Sequence, residues 1–396
     1  MDDLLFFDFT HTDFYYFWPM LFHAITGQQS TKDRLIRSVK ENRVSHAQLF
    51  LGPEGCGSLP LALAYATFLL CSNKQENDAC GTCSSCQKVA KLEHPDLHFS
   101  FPIVKERKVE KSDDVITEFR KAVIGQPYLN LKHWYSSLEA EAKSGIIPDA
   151  EAGNIIHKLN YKSYEGEYKI LIMWMAELMN TTAANHLLKI IEEPPDNTVF
   201  ILIAENQENI LPTILSRTQI IKIPAIDDAD VKAALLQNYG ASEELAENIT
   251  LLSEGNMWSA ISMALQLDDS GYNLQTFRKW MLLCHKKNIS GLMDWADEMA
   301  KMNREQQRGF LQYGLHIFRQ CIIGPYTDNE LQRVSEEERD FVGKFSAFVH
   351  GYNIIDLHEE FNRSHYYIER NANPKLVFLN LSFKVTSLMF PKAKTA

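Results

Sequence analysis

Five short apolar segments alternate with helical patterns in the first 225 residues, and this alternation constrains the fold more than any other feature of the sequence. The segments are Ala47–Leu51, Leu97–Phe101, Lys169–Trp174, Thr198–Ala204 and Gln219–Ile223. Strands that are separated by helices pair in parallel, and such a sheet is covered on both faces. The sequence therefore predicts an α/β module in this part of the chain.

A helical region follows the predicted α/β module. Past Pro224 the β-rich segments nearly stop, and amphipathic helical patterns replace them. They run over residues 228–238, 242–253, 256–266, 274–286, 304–323, 335–350 and 374–389. A chain of 396 residues is longer than one hydrophobic core supports, since single cores stop growing at about 250–300 residues. We therefore expect an α/β module followed by all-helical domains.

Breaks in these patterns predict how the chain is divided. The predicted segments are an N-terminal extension, an α/β domain, a small helical subdomain and a helical domain, over residues 1–19, 20–224, 225–270 and 271–396. Within the α/β domain, segment 105–150 is longer than a connection between neighbouring strands requires. Helical patterns at Lys111–Ala122 and Trp134–Lys143 predict an inserted helical hairpin there.

The N-terminal extension has an unusual composition. Residues 1–19 contain eight aromatic side chains, no Lys or Arg, and no helical or strand period. A secretory signal would begin with positive charge, whereas this segment begins with Asp2 and Asp3. We expect an extension without a fixed fold, or upstream sequence read through to a start at Met20, and an aromatic docking segment is the alternative.

Charge and hydropathy exclude several classes of protein. The formal net charge is −11, which argues against a surface that coats nucleic acid by charge alone. Any contact with DNA then needs a local patch or a partner. Uncharged apolar runs of 18 residues do not occur, so the sequence predicts no transmembrane helix and no contact with a membrane. A cytoplasmic location is the expectation.

A glycine loop follows the first predicted strand. Gly52, Gly55 and Gly57 have the spacing of a phosphate-binding loop between a strand and a helix. Such a loop needs Lys for the phosphates and then Ser or Thr for Mg²⁺, but Ser58 and Leu59 stand at those two places. The third strand also lacks the acidic pair of an ATPase, because no carboxylate follows it before Glu177. The pattern predicts an inherited nucleotide fold without hydrolysis, and a tight turn without any ligand is the alternative.

Four cysteines within sixteen residues give the strongest chemical signal in the chain. Cys71, Cys80, Cys83 and Cys86 have the spacing of one tetrahedral zinc site, and Gly81 allows a tight turn between ligands. Because four sulfur ligands leave no open position, the predicted zinc is structural. Unrelated free cysteines or an iron–sulfur cluster are the alternatives. The nearby histidines 94 and 98 are interpreted as ordinary turn and strand residues.

An arginine follows the short helix before the fifth predicted strand. Arg217 comes directly after Ser216 at the end of that helix. Taken alone, an arginine at this place is interpreted more simply as a cap on the last helical carbonyls than as a functional group.

These residues together resemble one family. The chain is similar to the bacterial clamp-loader δ′ subunits of DNA polymerase III, which are the non-hydrolysing members of that complex in the AAA+ superfamily. The four cysteines and the following segments carry the resemblance, the last one more weakly: Ile25–Gln28, Ser45–Phe50, Ala183–Pro195, Leu211–Arg217 and Glu369–Lys375. The resemblance implies an AAA+ module with a zinc insertion, a helical lid and a helical collar that mediates oligomerisation.

The resemblance also implies roles for residues. In the family a Ser-Arg-Cys motif supplies an arginine finger to the ATP of the neighbouring subunit, which implies that Ser216 and Arg217 act in trans. Thr218 replaces the Cys of that motif, and Trp258 stands at the second sensor arginine. The glycine loop would then be a degenerate nucleotide site, and whether it still binds ATP stays open. The implied partners are the γ/τ and δ subunits, the sliding clamp, and primed DNA through the assembled complex.

Two other functions remain as alternatives. An active γ/τ-type clamp-loader ATPase would need the Lys and the acidic pair that this sequence lacks. A zinc-containing module that binds nucleic acid directly is disfavoured by the acidic balance of the chain.

Overall fold

The structure is a computed structural model of the chain. It describes residues 20–105, 109–140, 143–266, 274–302, 304–323, 336–370 and 372–390. The predicted N-terminal extension, residues 1–19, lies outside the described residues.

A five-stranded parallel sheet organises the first part of the chain. The strands are β1 Ala47–Leu51, β2 Leu97–Ser100, β3 Lys169–Trp174, β4 Thr198–Ala204 and β5 Gln219–Lys222, in the spatial order β2-β3-β4-β1-β5. In the centre of the sheet, Leu49 of β1 lies opposite Leu202 of β4. Every residue of β3 and β4 is buried, as expected for strands that are covered on both faces.

Helices cover the two faces of the sheet. Their bounds are α1 Gln29–Lys40, α2 Ser58–Leu70, α3 Ser84–Ala90, α4 Ile116–Gly125, α5 Leu131–Ser137, α6 Asp149–Asn160, α7 Thr181–Glu192 and α8 Pro212–Leu215. Side chains of α1 to α5 share one core with Ile170, Ile172 and Trp174 of β3. Those of α6 to α8 share the opposite core with Leu171 and Met173. Successive residues of β3 thus point to opposite cores, which is the period-two pattern of a strand.

The rest of the chain is helical. Its helices are α9 Asp228–Asn238, α10 Glu243–Ser253, α11 Met257–Gln266, α12 Leu274–His285, α13 Ile289–Lys301, α14 Arg304–Ile323, α15 Glu336–Phe345, α16 Ile354–Glu369 and α17 Pro374–Met389. The core of this region contains Trp280 and Trp295, whose rings stack with centroids 5.0 Å apart. The Trp280 indole also donates a hydrogen bond to Ser382 Oγ over 2.9 Å.

The chain divides into two compact units. One comprises the residues up to Ala234 together with Glu254–Ser259, and the other comprises Leu235–Ser253 and the residues from Ala260 onward. Within the described ranges, no helix combines the length and the apolar composition needed to cross a lipid bilayer.

The fold class predicted from the sequence, an α/β module followed by all-helical structure, is confirmed. All five strands were predicted, although β2 and β5 each end one residue earlier than expected. Two helices that contact each other, α4 and α5, lie where the inserted helical hairpin was expected, and α6 begins only at the end of that segment. The second predicted helix also begins earlier and ends at Ser137, since a turn with Glu139 in the left-handed region follows it. The sequence analysis did not predict α13 and α16 at all.

Candidate functional site

The glycine loop joins β1 to α2 at the carboxyl edge of the sheet. Gly55 and Gly57 have φ values of +72° and +90°, in the left-handed region that favours glycine. Gly52 has no room for a side chain, because a Cβ atom there would lie 2.2 Å from the carbonyl oxygen of Ile223. The chain therefore keeps the backbone path of a phosphate-binding loop.

The side chains that follow the loop do not supply positive charge. Ser58 and Leu59 open α2 and are buried, and the Ser58 hydroxyl lies 2.9 Å from the Cys56 sulfur. The cavity over the loop measures about 30 Å³. Trp174 and Met175 line it on the β3 side, and none of the described residues that line it is Lys or Arg.

Carboxylates gather at the same edge of the sheet. Glu177 follows β3, and its Oε1 accepts hydrogen bonds from the backbone N–H groups of Glu205, over 2.7 Å, and Asn206, over 3.3 Å. Partial burial raises the pKa of Glu205 to about 7, and the negative charges of Glu54 and Glu177 contribute to the same shift. The residue keeps contact with solvent. Burial likewise raises the pKa of Glu177. The edge is therefore electronegative, the opposite of what a phosphate requires.

Two asparagine side chains form hydrogen bonds with the glycine loop. Glu54 Oε1 accepts hydrogen bonds from Asn130 Nδ2 over 3.3 Å and from Asn256 Nδ2 over 3.1 Å. The Met257 backbone N–H donates to the Gly55 carbonyl over 3.0 Å. The Asn256 amide lies against Gly55 so closely that a Cβ atom on Gly55 would be 1.9 Å from its Oδ1. The chain's own side chains thus cover the loop.

Trp258, predicted at the second sensor position, lies next to these contacts. Its ring packs on His133 with centroids 4.9 Å apart. An indole offers no charge to a phosphate, so this position adds no positive charge to the loop.

The four cysteines form one cluster. Their sulfur atoms all lie within 4.8 Å of one another. Cys71 Sγ is 3.6 Å from Cys80 Sγ and 3.9 Å from Cys83 Sγ, and Cys80 Sγ is 3.9 Å from Cys86 Sγ. A tetrahedron of sulfurs about 2.3 Å from a central zinc has edges of about 3.8 Å. The cluster therefore has the donor set and the size to hold a metal ion, while His94 and His98 are not part of it.

Local backbone geometry shapes the cysteine cluster. Gly81 has φ +71°, and Cys83 is the N-cap residue of α3. The backbone N–H of Cys80 donates to Cys71 Sγ over 3.4 Å, and that of Cys83 donates to Cys80 Sγ over 3.3 Å. Burial opposes ionisation of the Cys83 thiol, but hydrogen bonds from Ser72 and from the Cys86 backbone outweigh it and lower its pKa to about 5. Burial dominates at Cys71 and Cys86 and raises the pKa of both thiols.

Asp78 ties the cysteine segment to the beginning of the described chain. Its carboxylate accepts hydrogen bonds from the backbone N–H groups of Phe22 and His23, each over 3.0 Å. The His23 ring nitrogen Nδ1 lies 2.9 Å from the same carboxylate. The cysteine segment therefore helps to fix the chain that leads into α1.

Arg217 lies beyond the end of α8. Its Nε donates to Glu192 Oε2 over 2.7 Å, and its Nη1 donates to the Thr213 carbonyl over 3.1 Å. Ser216 Oγ is 3.5 Å from Nη1 and donates to the Thr213 carbonyl over 3.1 Å. The Arg217 side chain is 31% exposed. Arg217 thus caps a helical carbonyl, as the simpler interpretation expects, and also reaches the surface.

The structure brings some of the predicted residues together and not others. The glycine loop, the end of β3 and Glu205 line one cavity, and the cysteines form a separate cluster. Sequence reasoning missed Asn130 and Asn256 as partners of the loop. Asn256 follows Gly255, which has φ +80° in a turn. A glycine indicates such a turn in the sequence, but it does not indicate that Asn256 contacts the glycine loop.

Comparison with known proteins identifies the family. A sequence profile for the family described as DNA polymerase III, delta subunit, matches residues 27–227, just over half of the chain. The chain belongs to this family. The matched region contains the glycine loop, the cysteine cluster and Arg217.

Curated relatives include more than one kind of DNA polymerase III subunit. Subunit tau of Bacillus subtilis is 21% identical over 91% of this chain and 61% of its own length. Subunit delta′ of Pseudomonas aeruginosa is 31% identical over 44% of this chain and 41% of its own length. Subunit gamma/tau of Mycobacterium tuberculosis is 28% identical over 50% of this chain and 28% of its own length. The chain thus spans less than two thirds of these relatives.

The solved structures that match this chain share little sequence with it. A DNA polymerase III gamma subunit-related protein from Thermotoga maritima has 17% identity and a TM-score of 0.31, covering 90% of this chain and 99% of its own. A Thermotoga maritima RuvB Holliday junction branch migration motor has 15% identity and a TM-score of 0.37, covering 69% and 80%. The fold described above therefore rests on the strand order and helix positions of this delta-family chain itself.

The carboxylates beside the loop generate a prediction for pH titration. Glu54→Gln should lower the pKa of Glu205 from about 7, because removing a neighbouring negative charge favours the ionised carboxylate. Since the folded pKa lies above the ordinary value of 4.5, the unfolding free energy should fall as the pH rises from about 4.5 through about 7. Carboxyl-carbon NMR of the labelled protein measures the titration.

Glu208→Gln is the matched control, because Glu208 lies three residues further on and is exposed. It should leave the Glu205 titration unchanged. A Glu205 pKa near 4.5 in the unmodified protein would contradict the description of this edge.

Proposed function

We propose that this chain is a non-hydrolysing clamp-loader subunit of DNA polymerase III, of the δ′ type. In this role it acts as a stator that helps load the sliding clamp onto primed DNA, and it completes the ATP site of a neighbouring subunit with Arg217. Its partners would be the γ/τ and δ subunits, the clamp, and DNA through the assembled complex. Membership of the delta-subunit family supports the assignment to the clamp loader.

The absence of positive charge at the described glycine loop is the observation that carries the δ′ assignment. Phosphoryl transfer depends on cations around the transferred group and on a carboxylate-held metal. Ser58 and Leu59 occupy the places of the Lys and the Thr, and Trp174 and Met175 end the strand that would supply the acidic pair. The described loop of this chain therefore has none of the groups that ATP hydrolysis requires.

The alternative of an active γ/τ-type ATPase draws support from the relatives, since subunits named gamma/tau and tau match as well as those named delta′. The chemistry of the loop disfavours it. The net charge of −11 likewise disfavours a module that binds nucleic acid by itself.

Arg217 has the features that an arginine acting in trans requires. Its guanidinium is charged at every physiological pH, and its forked shape matches two phosphate oxygens. It is held at one edge by Glu192 and the Thr213 carbonyl, and part of the side chain remains exposed. In this proposal Ser216 supports the same turn through its hydrogen bond to Thr213.

A structural zinc ion belongs to the proposal. The tetrahedral spacing of the four sulfurs supports zinc, which would close a polar loop that cannot pack by itself. Structural zinc contributes on the order of 10 kcal/mol to folding in small zinc-binding peptides. The metal would hold the cysteine segment together and take no part in chemistry, because four thiolates leave no open position.

The first test measures ATP hydrolysis by the isolated chain. We expect no turnover above background, and Ser58→Lys alone should not restore it, because the acidic pair is also missing. Gly57→Ala serves as a comparison, since Gly57 has φ +90° and the change distorts the loop. Turnover that survives purification and disappears in Gly57→Ala would contradict the proposal.

The second test measures ATP hydrolysis by the reconstituted complex in the presence of clamp and primed DNA. An arginine finger in trans is worth roughly 10³–10⁵ in rate at its own site, so Arg217→Ala should abolish the contribution of that one site. Arg217→Lys should rescue poorly, since an ammonium lacks the forked geometry. Arg43→Ala, at an exposed arginine paired with Glu41, is the matched control. Equal rates for wild type and Arg217→Ala, with assembly confirmed by gel filtration, would contradict the proposal.

The third test measures metal content. Elemental analysis should find one zinc per purified chain, and Cys80→Ser or Cys83→Ser should lose it while the sheet stays folded. Cys321→Ala, at a cysteine outside the cluster, should keep the metal. A chain without zinc, or one that contains iron with visible absorption, would contradict the zinc assignment.

A further inference from the structure

We propose that Glu192 is a positioning residue for Arg217, and that it orders the arginine before the neighbouring subunit arrives. This inference rests on the proposed function, in which Arg217 acts on a nucleotide bound by that subunit. Glu192 itself would touch neither the nucleotide nor the reacting atoms.

Two helix ends bring the contacts of Arg217 together. Glu192 is the last residue of α7, and Thr213 lies in α8. Glu192 Oε2 accepts from Arg217 Nε over 2.7 Å, and the Thr213 carbonyl accepts from Nη1 over 3.1 Å. A carboxylate and a carbonyl thus fix the guanidinium plane at two different nitrogens.

The contacts leave Nη2 of the guanidinium available. The carboxylate binds Nε, and within the described part of the chain Nη2 contacts no acceptor. A guanidinium that is held at Nε and Nη1 can still donate from Nη2 to a phosphate oxygen. Glu192 therefore fixes the guanidinium without occupying Nη2.

The exposure of the Arg217–Glu192 ion pair indicates that it orients Arg217 and adds little to the stability of the fold. The side chains of Arg217 and Glu192 are 31% and 55% exposed, and exposed ion pairs contribute little to folding. Arginine has a flexible side chain whose entropy is lost when it binds a ligand. If the Arg217 side chain is already held in one geometry, its entropy is lost when the chain folds and not when the ligand binds. Such preorganisation raises the rate of the reaction.

The chain offers a matched control at the adjacent residue. Glu193 carries the same charge, is exposed, and follows Glu192 directly. Within the described part of the chain, its side chain makes no hydrogen bond and no ion pair. Glu193→Ala therefore removes the same charge from the same surface without removing a contact of Arg217.

The experiment measures steady-state ATP hydrolysis by the complete reconstituted complex with clamp and primed DNA. Glu192→Ala should lower the part of kcat that depends on Arg217 about three- to fivefold, the range expected for losing one exposed charge-assisted contact. KM for ATP should not change, because the nucleotide is bound by the neighbour. Glu192→Gln should restore most of the rate, since the amide oxygen still accepts from Nε. Glu193→Ala should behave as wild type.

A double variant separates positioning from a general structural effect. If Glu192 acts only through Arg217, the double variant Glu192→Ala with Arg217→Ala should be no slower than Arg217→Ala alone. Gel filtration and thermal melting of each variant should match wild type. Additive losses in the double variant would overturn the inference.

The remaining outcomes distinguish this inference from the proposed function. If Arg217→Ala has no effect, the proposed function itself fails. If Arg217→Ala slows hydrolysis and Glu192→Ala does not, the proposed function stands and the positioning role of Glu192 is wrong. A rate above wild type in Glu192→Ala would show that the carboxylate withholds the arginine, which also contradicts positioning.

Discussion

Burial of the parallel sheet on both faces is the constraint on which the rest of the α/β unit depends. Because all five strands run in the same direction, their carboxyl ends meet at one edge, and the residues that follow them are forced together. Gly52 after β1 thereby comes so close to Ile223 after β5 that no side chain fits between them. The glycine loop, the end of β3 and the end of β4 form one site for the same reason.

The charges at this edge decide what the site can do. A nucleotide-binding edge presents backbone N–H groups and a cation to the phosphates. Here the loop retains the glycine conformations, but Glu54, Glu177 and Glu205 surround it, and Asn130 and Asn256 donate to Glu54. Glu177 also accepts the backbone N–H of Glu205 that faces this edge. The chain thus surrounds the loop with carboxylates and with polar side chains of its own.

The sequence predicted features that depend on neighbours in the chain. The strands were found because β3 and β4 are unbroken apolar runs, and the cysteine cluster was found because its four ligands lie within sixteen residues. Contacts across long separations were not found, since Asn256 is 202 residues from its partner Glu54. The Arg217 pair with Glu192 spans 25 residues and was missed for the same reason.

The described glycine loop lacks the positively charged side chains that hold a nucleotide. Equilibrium titration of the purified chain with a fluorescent ATP analogue in the presence of Mg²⁺ tests it most directly. We expect no saturable binding at millimolar concentrations, because no Lys or Arg lines the described cavity and the carboxylates of Glu54, Glu177 and Glu205 lie beside it. Saturable binding at micromolar concentrations, competed by unlabelled ATP, would contradict it.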